Sequence, residues 1–388
     1  MRLGIDASNI RGGGGLTHLR QMLAAADPPA HGFEQVVVWA PQSTLEQLKN
    51  QPWLLKRHDR ALESHYLLRA WWQSTRLGVL ARHEGCDLLF VPGGPFATEF
   101  RPVVTMSRNL LPFEWRELRR YGCSSTTLRL LLLRGSLTRS FRRASGTIFL
   151  TRYAQQAVRA VAGTLPAASR IVPHGVDARF FQPEHAREVR PVGSLADPLR
   201  IIYVSIIDLY KHQWHVATAV ARLRSEGHPV SLTLIGPAYR PAMRRLRATL
   251  TRLDPHGEFL RYAGPVSYAE LPAYYAGADV CVFASSCENM PNILLEGMAA
   301  ALPIASSNRS AMPEVLDSAG VYFDPEDANS IADALRELVS SPQLRLRQGR
   351  AAEERARLFS WTRCARDTFD FLASVAAGRN TTTLPTSA

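Results

Sequence analysis

The alternation of short apolar runs with amphipathic stretches of about ten or more residues constrains the fold more than any other feature of this sequence. Apolar runs separated by helical patterns are typical of parallel sheets that are covered by helices on both faces. The runs predict strands at residues 3–5, 35–39, 88–91, 103–106, 147–150, 201–205, 231–235, 280–284, 302–305 and 320–323. The sequence therefore predicts an α/β protein.

The stretch 174–198 interrupts this alternation. It contains Pro183, Pro191 and Pro198 and has no clear periodicity, which is typical of a linker. A chain of 388 residues fits two domains of nearly equal size. We therefore expect doubly wound, Rossmann-like domains at 1–173 and 199–360, a linker at 174–198, a closing helix at 361–379 and a disordered polar tail at 380–388. In such sheets, ligands bind beyond the carboxyl ends of the strands and at helix N-termini.

The chain is strongly basic, with 46 lysines and arginines against 34 aspartates and glutamates and a formal net charge of +12. A basic protein can bind nucleic acid, an anionic membrane or phosphorylated small molecules. Arginines cluster at 115–143 and 240–252, and the first segment also contains the leucines at 130–133. Apolar residues flanked by arginines suit an anionic bilayer surface, but a core helix with arginines on its polar side fits at least as well. No RNA-binding signature or zinc finger occurs in the sequence, which does not favour nucleic acid.

The sequence also argues against several other classes of protein. No segment reaches the roughly 18 continuous apolar residues of a membrane span, and the N-terminus lacks the layout of a secretory signal. The five cysteines are scattered and form no C-x-x-C pair, so we expect neither a disulfide framework nor a zinc site. These features are typical of a protein of the reducing cytoplasm.

The segment 281–300 carries the clearest chemical signal. An apolar strand leads into a polar loop that contains Glu288, and Pro291 suits the first position of the helix that follows. The backbone amides around 289–293 would form an anion site supported by the helix dipole. Glu296 lies on the second turn of that helix. Carboxylates beside an anion site can accept hydrogen bonds from the hydroxyls of a sugar or ribose. The same pattern would also arise if Glu288 were a solvated loop residue and Glu296 lay on an exposed helix face.

Glu288 and Glu296 form a Glu-x7-Glu motif in this strand–loop–helix context, and the segment resembles the nucleotide-sugar-binding signature of retaining glycosyltransferases of family 4. The similarity extends over about residues 171–375. It implies the GT-B fold, in which two Rossmann-like domains face each other across a cleft. Other segments that resemble the family are 171–177 with Phe180, 234–237, 261–266, 274–279 and 359–361.

The resemblance also implies roles for individual residues. Glu296 would bind the ribose hydroxyls of the donor, Lys211 would neutralise its diphosphate, and Glu288 would lie beside the anomeric carbon of the transferred sugar. Further contacts with the donor would come from Asn289, Met290, Pro291, Asn292, Ile293 and Gly236.

The N-terminal half contains a run of four glycines at 12–15, after the first strand and before a helix predicted from Leu16. Backbone without side chains can come close to a phosphate, and we expect Gly13 and Gly14 to contact the donor. The spacing does not fit the G-x-G-x-x-G of a dinucleotide-binding loop, so the sequence does not favour an oxidoreductase.

The sequence departs from the family pattern at several places. Residues 205–207 lie where the family often has a phosphate-binding arginine, and His212 replaces the usual glycine. The run 289–291 replaces a glycine–aromatic–glycine sequence, which predicts altered sugar selection. The histidine that is common in the N-domain has no clear counterpart. Arg108 or Asn109 is its substitute, and we predict a catalytic role for Arg108.

The resulting hypothesis is a retaining hexosyltransferase. It would move a sugar from a nucleotide-diphosphate sugar, GDP-mannose or similar, to a hydroxyl of a glycan or lipid-linked acceptor during synthesis of a surface polysaccharide such as O-antigen, capsule or exopolysaccharide. The resemblance implies that the leaving phosphate takes the acceptor proton. Because no Asp-x-Asp motif follows a predicted strand, we expect neither a metal nor a cofactor.

Two alternatives stay open. The first is a nucleotide-sugar epimerase of the GT-B fold, which would need no acceptor. The second is a non-catalytic basic α/β protein that binds an anionic membrane. In either the transferase or the membrane-binding hypothesis, residues 115–143 would provide peripheral contact with the inner face of the cytoplasmic membrane, and we expect no nucleic-acid partner.

Overall fold

The structure, a computed structural model, describes residues 1–165, 168–182, 190–191 and 193–378. Contacts between residues divide the chain into two compact units, Val176–Phe359 and the combination of Met1–Gly175 with Ser360–Ala388. The chain therefore returns to the N-terminal unit after completing the second one. The predicted tail at 380–388, and residues 183–189 of the predicted linker, lie outside the described residues.

The first unit is an α/β sandwich built on seven parallel strands. Its strands are β1 (Arg2–Asp6), β2 (Gln35–Trp39), β3 (Leu54–Arg57), β4 (Leu88–Val91), β5 (Val103–Met106), β6 (Gly146–Phe149) and β7 (Ala168–Ile171). Their order in the sheet is β3-β2-β1-β4-β5-β6-β7, with the change of direction between β1 and β4. This is the doubly wound order that the sequence predicts.

Helices connect these strands. They are α1 (Gly13–Ala24), α2 (Gln42–Leu45), α3 (Tyr66–Thr75), α4 (Leu77–His83), α5 (Trp115–Leu118), α6 (Ser125–Arg143) and α7 (Arg152–Ala162). A final helix near the C-terminus, which we number α15 (Trp361–Ala376), packs against α1 and completes this unit.

The second unit repeats the same winding with six parallel strands. They are β8 (Leu199–Val204), β9 (Val230–Ile235), β10 (Leu260–Gly264), β11 (Val280–Phe283), β12 (Ile304–Ser307) and β13 (Val321–Phe323), in the order β10-β9-β8-β11-β12-β13. Its helices are α8 (Gln213–Ser225), α9 (Arg240–Leu253), α10 (Leu271–Ala276), α11 (Asn292–Ala299), α12 (Met312–Leu316), α13 (Ala328–Ser340) and α14 (Pro342–Ala356).

Central strands of both sheets are buried at every residue. This holds for β4, β5 and β6 in the first unit and for β11 and β12 in the second. A strand covered by helices on both faces needs apolar or small residues at consecutive positions, not at alternate ones. That requirement explains why these segments appear in the sequence as continuous apolar runs.

The structure confirms the ten predicted strands and corrects some of their limits. The strand predicted at 302–305 runs two residues later, as β12, because Ala301 has φ 52° in the preceding turn and Pro303 has no N–H to donate. The prediction from apolar runs missed β3 and β7, which lie at the two edges of the first sheet, and β10, which lies at one edge of the second sheet. All three strands are only partly buried.

Helix length and the cysteines bear on the expectations of no membrane span and no disulfide. Over the described residues, no helix combines the length and the apolar character that crossing a membrane requires. Cys86, Cys123, Cys281, Cys287 and Cys364 are all free thiols, and of these only Cys123 is exposed.

Asp254 holds the turn between α9 and β10. Its carboxylate accepts the N–H groups of Glu258 at 2.9 Å, Phe259 at 2.8 Å and Leu260 at 2.7 Å. Burial disfavours the charge, but the N–H donors outweigh burial and lower the pKa of Asp254 below its ordinary value. The charged form therefore stabilises the fold at neutral pH, and this contribution is lost as the pH falls through the pKa of the folded protein.

We predict that Asp254→Ala lowers the free energy of unfolding by about 3 kcal/mol at pH 7, because three backbone donors lose a charged acceptor. Asp327→Ala is the matched control, since Asp327 is an exposed helix cap that accepts the N–H of Asn329. Its expected loss is about 1 kcal/mol. Urea unfolding measures both variants, and equal losses would contradict the role of Asp254.

Candidate functional site

The loops at the carboxyl edge of the second sheet contain most of the polar residues singled out in the sequence. Parallel pairing of β8 with β9 and β11, and of β11 with β12, brings the loops after these strands to one edge. Lys211 follows β8, Gly236 follows β9, Glu288 follows β11 and Ser310 follows β12. Residues almost 100 positions apart in sequence thus meet at one edge.

Lys211 and Glu288 form an ion pair, and their side chains are only 5% and 15% exposed. The Lys211 ammonium also lies 5.1 Å from the ring centroid of Tyr210 and 5.2 Å from that of Phe283. The backbone of Glu288 is fixed by Ser310, whose Oγ accepts its N–H at 3.0 Å and donates to its carbonyl at 2.8 Å. The structure therefore brings together the two predicted residues that would face a diphosphate and the transferred sugar.

His212, which replaces the glycine usual in the family, has φ 53° in the left-handed region. Histidine is among the residues that adopt this conformation more readily than most. Its Nε2 lies 2.9 Å from Ser286 Oγ, and the Ser286 N–H donates to the carbonyl of Tyr210 at 2.8 Å. These bonds tie the loop after β8 to the loop after β11, and a glycine at this position would lose one of them.

Glu296 is 4% exposed on α11. Burial raises the pKa of its carboxyl to about 7, although the hydroxyl of Tyr268 and the charge of Arg179 favour the ionised form. The Tyr275 hydroxyl lies 3.5 Å from Glu296 Oε2 and also donates to the carbonyl of Ile293 at 3.2 Å. The Glu296 carboxyl is thus buried with tyrosine hydroxyl groups beside it.

The sequence analysis missed Arg179 and Tyr268, which lie around Glu296 together with Phe180 and Tyr275. The Arg179 guanidinium lies 3.9 Å from the ring centroid of Tyr268, and Phe180 packs against the rings of Tyr268 and Tyr275 at 5.6 and 5.8 Å. Arg179 also pairs with Asp177 at 3.3 Å. The signal that could have found Arg179 is its position beside Phe180 in a segment already singled out.

Helix α11 begins at Asn292, one residue later than the sequence predicted. Pro291 precedes the helix with φ −81° and ψ 111°, outside the helical region, and so occupies the cap position. Asn289, Met290 and Pro291 are buried, whereas Asn292 and Ile293 are partly exposed at the start of the helix. The first-turn amides carry the positive end of the helix dipole next to the loop that holds Glu288.

Gly236 ends β9 with φ 138°. A Cβ atom there would lie 2.2 Å from the carbonyl oxygen of Ser205, so no other residue fits without a backbone shift. Its N–H donates to Gly264 at 2.9 Å, and its carbonyl accepts the Tyr262 hydroxyl at 2.8 Å. The glycine lets three strand ends pack closely at this edge.

Arg108 and the glycine run come together in the first unit. Helix α1 begins at Gly13 and includes Gly14, so it starts earlier than the predicted Leu16. A Cβ atom on Gly15 would lie 2.9 Å from Arg108 Nη1, which places the guanidinium against Gly15, whereas a Cβ atom on Gly13 would meet nothing within 4 Å. Burial lowers the pKa of Arg108 to about 10, and its Nε has no hydrogen-bond partner among the described residues.

Two histidines that the sequence analysis did not identify lie near Arg108. The Nδ1 atoms of His18 and His174 are 2.9 Å apart, and both residues are buried. Burial and the charge of Arg108 lower the pKa of His174 to about 3, and burial together with both neighbours lowers the pKa of His18. Both rings are therefore neutral at pH 7, and Arg108 carries the positive charge of this cluster. His18 lies one turn after Gly15 on α1, which is the only signal in the sequence.

Comparison with known proteins identifies the second unit. Residues 198–341 match the family model for Glycosyl transferases group 1, so this part of the chain is a domain of that family. An MMP alpha-(1->4)-mannosyltransferase of Mycolicibacterium hassiacum is 30% identical over 220 residues, which are 52% of this chain and 47% of the relative. An O-antigen chain mannosyltransferase B of Escherichia coli is 33% identical over 113 residues, 29% of each chain. The chain spans about half the length, or less, of these curated relatives.

The fold of the chain also has solved counterparts. A sucrose-phosphate synthase from Thermosynechococcus elongatus superposes with a TM-score of 0.74 at 18% sequence identity, over 97% of this chain and 100% of that one. The two parallel-sheet units are thus of the GT-B type, and the resemblance to glycosyltransferases inferred from the sequence is confirmed.

We predict that Glu296→Gln stabilises the protein at pH 8 but not at pH 5. Because the pKa of Glu296 is raised, its ionisation opposes folding between the unfolded-state pKa and about pH 7. At ~1.36 kcal/mol for each pKa unit, the penalty above pH 7 is roughly 3 kcal/mol. Thermal melts at both pH values measure it, with the exposed Glu354→Gln as the matched control. Equal melting points for Glu296→Gln and the unaltered chain at pH 8 would contradict this prediction.

Proposed function

We propose that this protein is a retaining, metal-independent hexosyltransferase. It transfers a sugar from a nucleotide-diphosphate sugar to a hydroxyl of a glycan or lipid-linked acceptor. The observation that carries the proposal is the pairing of two features at one sheet edge of a Glycosyl transferases group 1 domain. These are the buried carboxyl of Glu296 among hydroxyls and the Lys211–Glu288 ion pair.

Glu296 would bind the ribose of the donor. Its carboxyl is buried with a tyrosine hydroxyl within hydrogen-bond reach, and two vicinal ribose hydroxyls match a carboxylate that accepts two bonds. Gly236 follows the neighbouring strand β9, and the base of the donor would lie beside this turn. Burial strengthens each of these hydrogen bonds relative to the same bond in water.

Lys211 would exchange its partner when the donor binds. With the diphosphate present, the ammonium neutralises the phosphate and Glu288 is free to face the hydroxyls of the transferred sugar. The start of α11 at Asn292 adds backbone dipoles on the same side. Departure of the nucleotide diphosphate is the difficult step, and fixed positive groups aimed at the developing charge stabilise it. The leaving phosphate then accepts the acceptor proton, so no separate base is needed.

In the first unit, Arg108 would bind an oxygen that gains negative charge, since its guanidinium lies against Gly15 in the first turn of α1. The mannosyltransferase relatives support a GDP-mannose-like donor, and the O-antigen relative supports a role in surface-polysaccharide synthesis. A cytoplasmic location at the inner face of the membrane is part of this proposal.

We predict that one nucleoside diphosphate among GDP, UDP, ADP and dTDP raises the melting temperature well above the others, with or without EDTA. A ligand that binds only the folded state adds about 2.7 kcal/mol of stability at a hundredfold excess over its Kd. If none of the four shifts the melting temperature at millimolar concentration, the donor site proposed here is wrong. If the shift requires a divalent metal, metal independence is wrong.

Two variants separate the contributions to that binding. Glu296→Gln should lower the affinity for the nucleoside and for its diphosphate by the same factor, about 10- to 100-fold. The reason is that a charge-assisted hydrogen bond to ribose is worth about 1.5–3 kcal/mol. Lys211→Met should lower the affinity for the diphosphate and leave the affinity for the nucleoside unchanged. Isothermal titration measures both, and Glu354→Gln is the matched control. A Lys211→Met protein that binds the diphosphate normally would contradict the assignment of Lys211.

We also predict that the anomeric configuration of the donor sugar is kept in the product. The nucleotide identified by the melting experiment defines the donor, and NMR of the purified product gives the configuration from the one-bond carbon–proton coupling at the anomeric centre, which distinguishes the anomers of a mannose-type sugar as well. An inverted product would exclude the mechanism in which the leaving phosphate and the acceptor share one face of the sugar.

A further inference from the structure

The segment that contains α6 and α7 is unusually free of negative charge. From Leu118 to Val176 the sequence has ten arginines and no aspartate or glutamate. Helix α6 (Ser125–Arg143) contributes five of these arginines. A surface with this composition attracts anions and offers no internal carboxylates to neutralise them.

The outward face of α6 is apolar in its first half and basic in its second half. At 100° for each residue, Leu128, Leu132, Gly135, Arg139 and Arg142 lie within about 40° of one line along the helix. Leu128 and Leu132 are 60% and 68% exposed. The core of the unit is formed instead from the opposite face, by Leu130, Leu137 and Phe141. The leucine run is therefore divided between the core and the solvent.

A groove of about 680 Å³ runs along the basic half of this face. Gly135 opens it, since a Cβ atom at Gly135 would meet nothing within 4 Å. The Oγ1 atom of Thr138, which lines the groove, is buried and has no hydrogen-bond partner among the described residues. Arginine side chains supply most of the remaining lining, from Arg134, Arg139, Arg142 and Arg143.

The arginines of the groove are only partly engaged. Arg143 pairs with Glu99 at 2.7 Å, and Arg142 donates through Nε to the carbonyl of Ala162 at 2.8 Å. Arg134 lies 5.9 Å from the ring centroid of Trp115, which is 53% exposed. Within the described chain, Arg139 makes neither an ion pair nor a hydrogen bond. An anion in the groove would thus find donors that the fold does not already use.

We propose that this face of α6 docks on an anionic lipid bilayer. The groove takes the phosphate of a lipid headgroup, and Leu128, Leu131 and Leu132 enter the interface beside it. The combination of exposed leucines with arginines favours a membrane over a nucleic acid, which offers phosphates but no apolar layer for the leucines. This inference deepens the proposed function, on which it rests for the location at the inner face of the membrane, but it concerns the first unit alone and requires no donor chemistry.

Vesicle co-sedimentation with the full chain tests the proposal. We expect binding to phosphatidylcholine vesicles that contain roughly one third phosphatidylglycerol, loss of binding at high salt, and little binding to phosphatidylcholine alone. Arg134→Gln with Arg139→Gln should weaken binding about 30-fold, at ~1 kcal/mol for each basic residue at the surface. The matched control removes two exposed arginines from α9, by Arg244→Gln with Arg247→Gln, and should leave binding almost unchanged.

A single substitution tests the groove itself. Gly135→Glu places a carboxylate among the arginines at a position where the added side chain meets nothing, so the helix is kept. It should reduce binding to the anionic vesicles at least tenfold, whereas Gly135→Gln should bind nearly as well as the unaltered chain. Leu128→Ser with Leu132→Ser should reduce binding by a similar factor without changing the charge.

Several results would overturn the proposal. They are equal binding to vesicles without anionic lipid, an equal loss in the α9 control, and unchanged binding after Gly135→Glu. The protein could instead bind duplex DNA in preference to vesicles. If the double arginine substitution abolished that binding and the double leucine substitution did not, the surface would be assigned to nucleic acid. The nucleotide-induced thermal shift of the same variants separates this test from the proposed function, because the substitutions leave the second unit intact.

Discussion

Parallel pairing of the strands is the constraint on which the rest of this structure depends. A parallel strand can follow its neighbour only after a crossover, so every strand ends at the same edge of its sheet and is followed by a loop and then a helix. In the second unit this rule brings the loops after β8, β9, β11 and β12 together. The Lys211–Glu288 pair and the Gly236 turn are therefore consequences of the winding, and neither requires residues that are close in sequence.

The same winding decides which parts could be predicted from the sequence. Central strands are buried on both faces and form apolar runs, so the pattern found β4, β5 and β11 almost to the residue. The edge strands β3 and β7 pair on one side only and bury fewer side chains, which leaves no apolar run to detect. These two edge strands are thus found only through pairing, which is a tertiary property.

The site shows a similar division. Lys211, Glu288 and Glu296 could be named because a short motif fixes their spacing along the chain and the family resemblance assigns them. Tyr268 and Arg179, which surround Glu296, come from separate segments, and only the folded chain brings them to it. The pKa of Glu296 follows from that enclosure and not from its neighbours in sequence. A sequence motif therefore predicts which residues form the site and where they lie in the chain, whereas their pKa values can be explained only from the tertiary structure.

The two units differ in how they balance a buried positive charge. Lys211 in the second unit has a carboxylate partner, whereas Arg108 in the first unit lies beside two neutral histidines. In the second unit Glu288 balances the charge of Lys211, and under the proposed function the donor phosphate would replace this carboxylate. In the first unit burial keeps His18 and His174 neutral, and Arg108 lies beside them against bare backbone. A buried cation without a carboxylate partner is costly for the fold unless a ligand supplies the charge. Among the described residues Arg108 has no carboxylate partner, so its burial destabilises the first unit unless an anionic ligand binds there. In the second unit the Lys211–Glu288 ion pair already balances the buried charge.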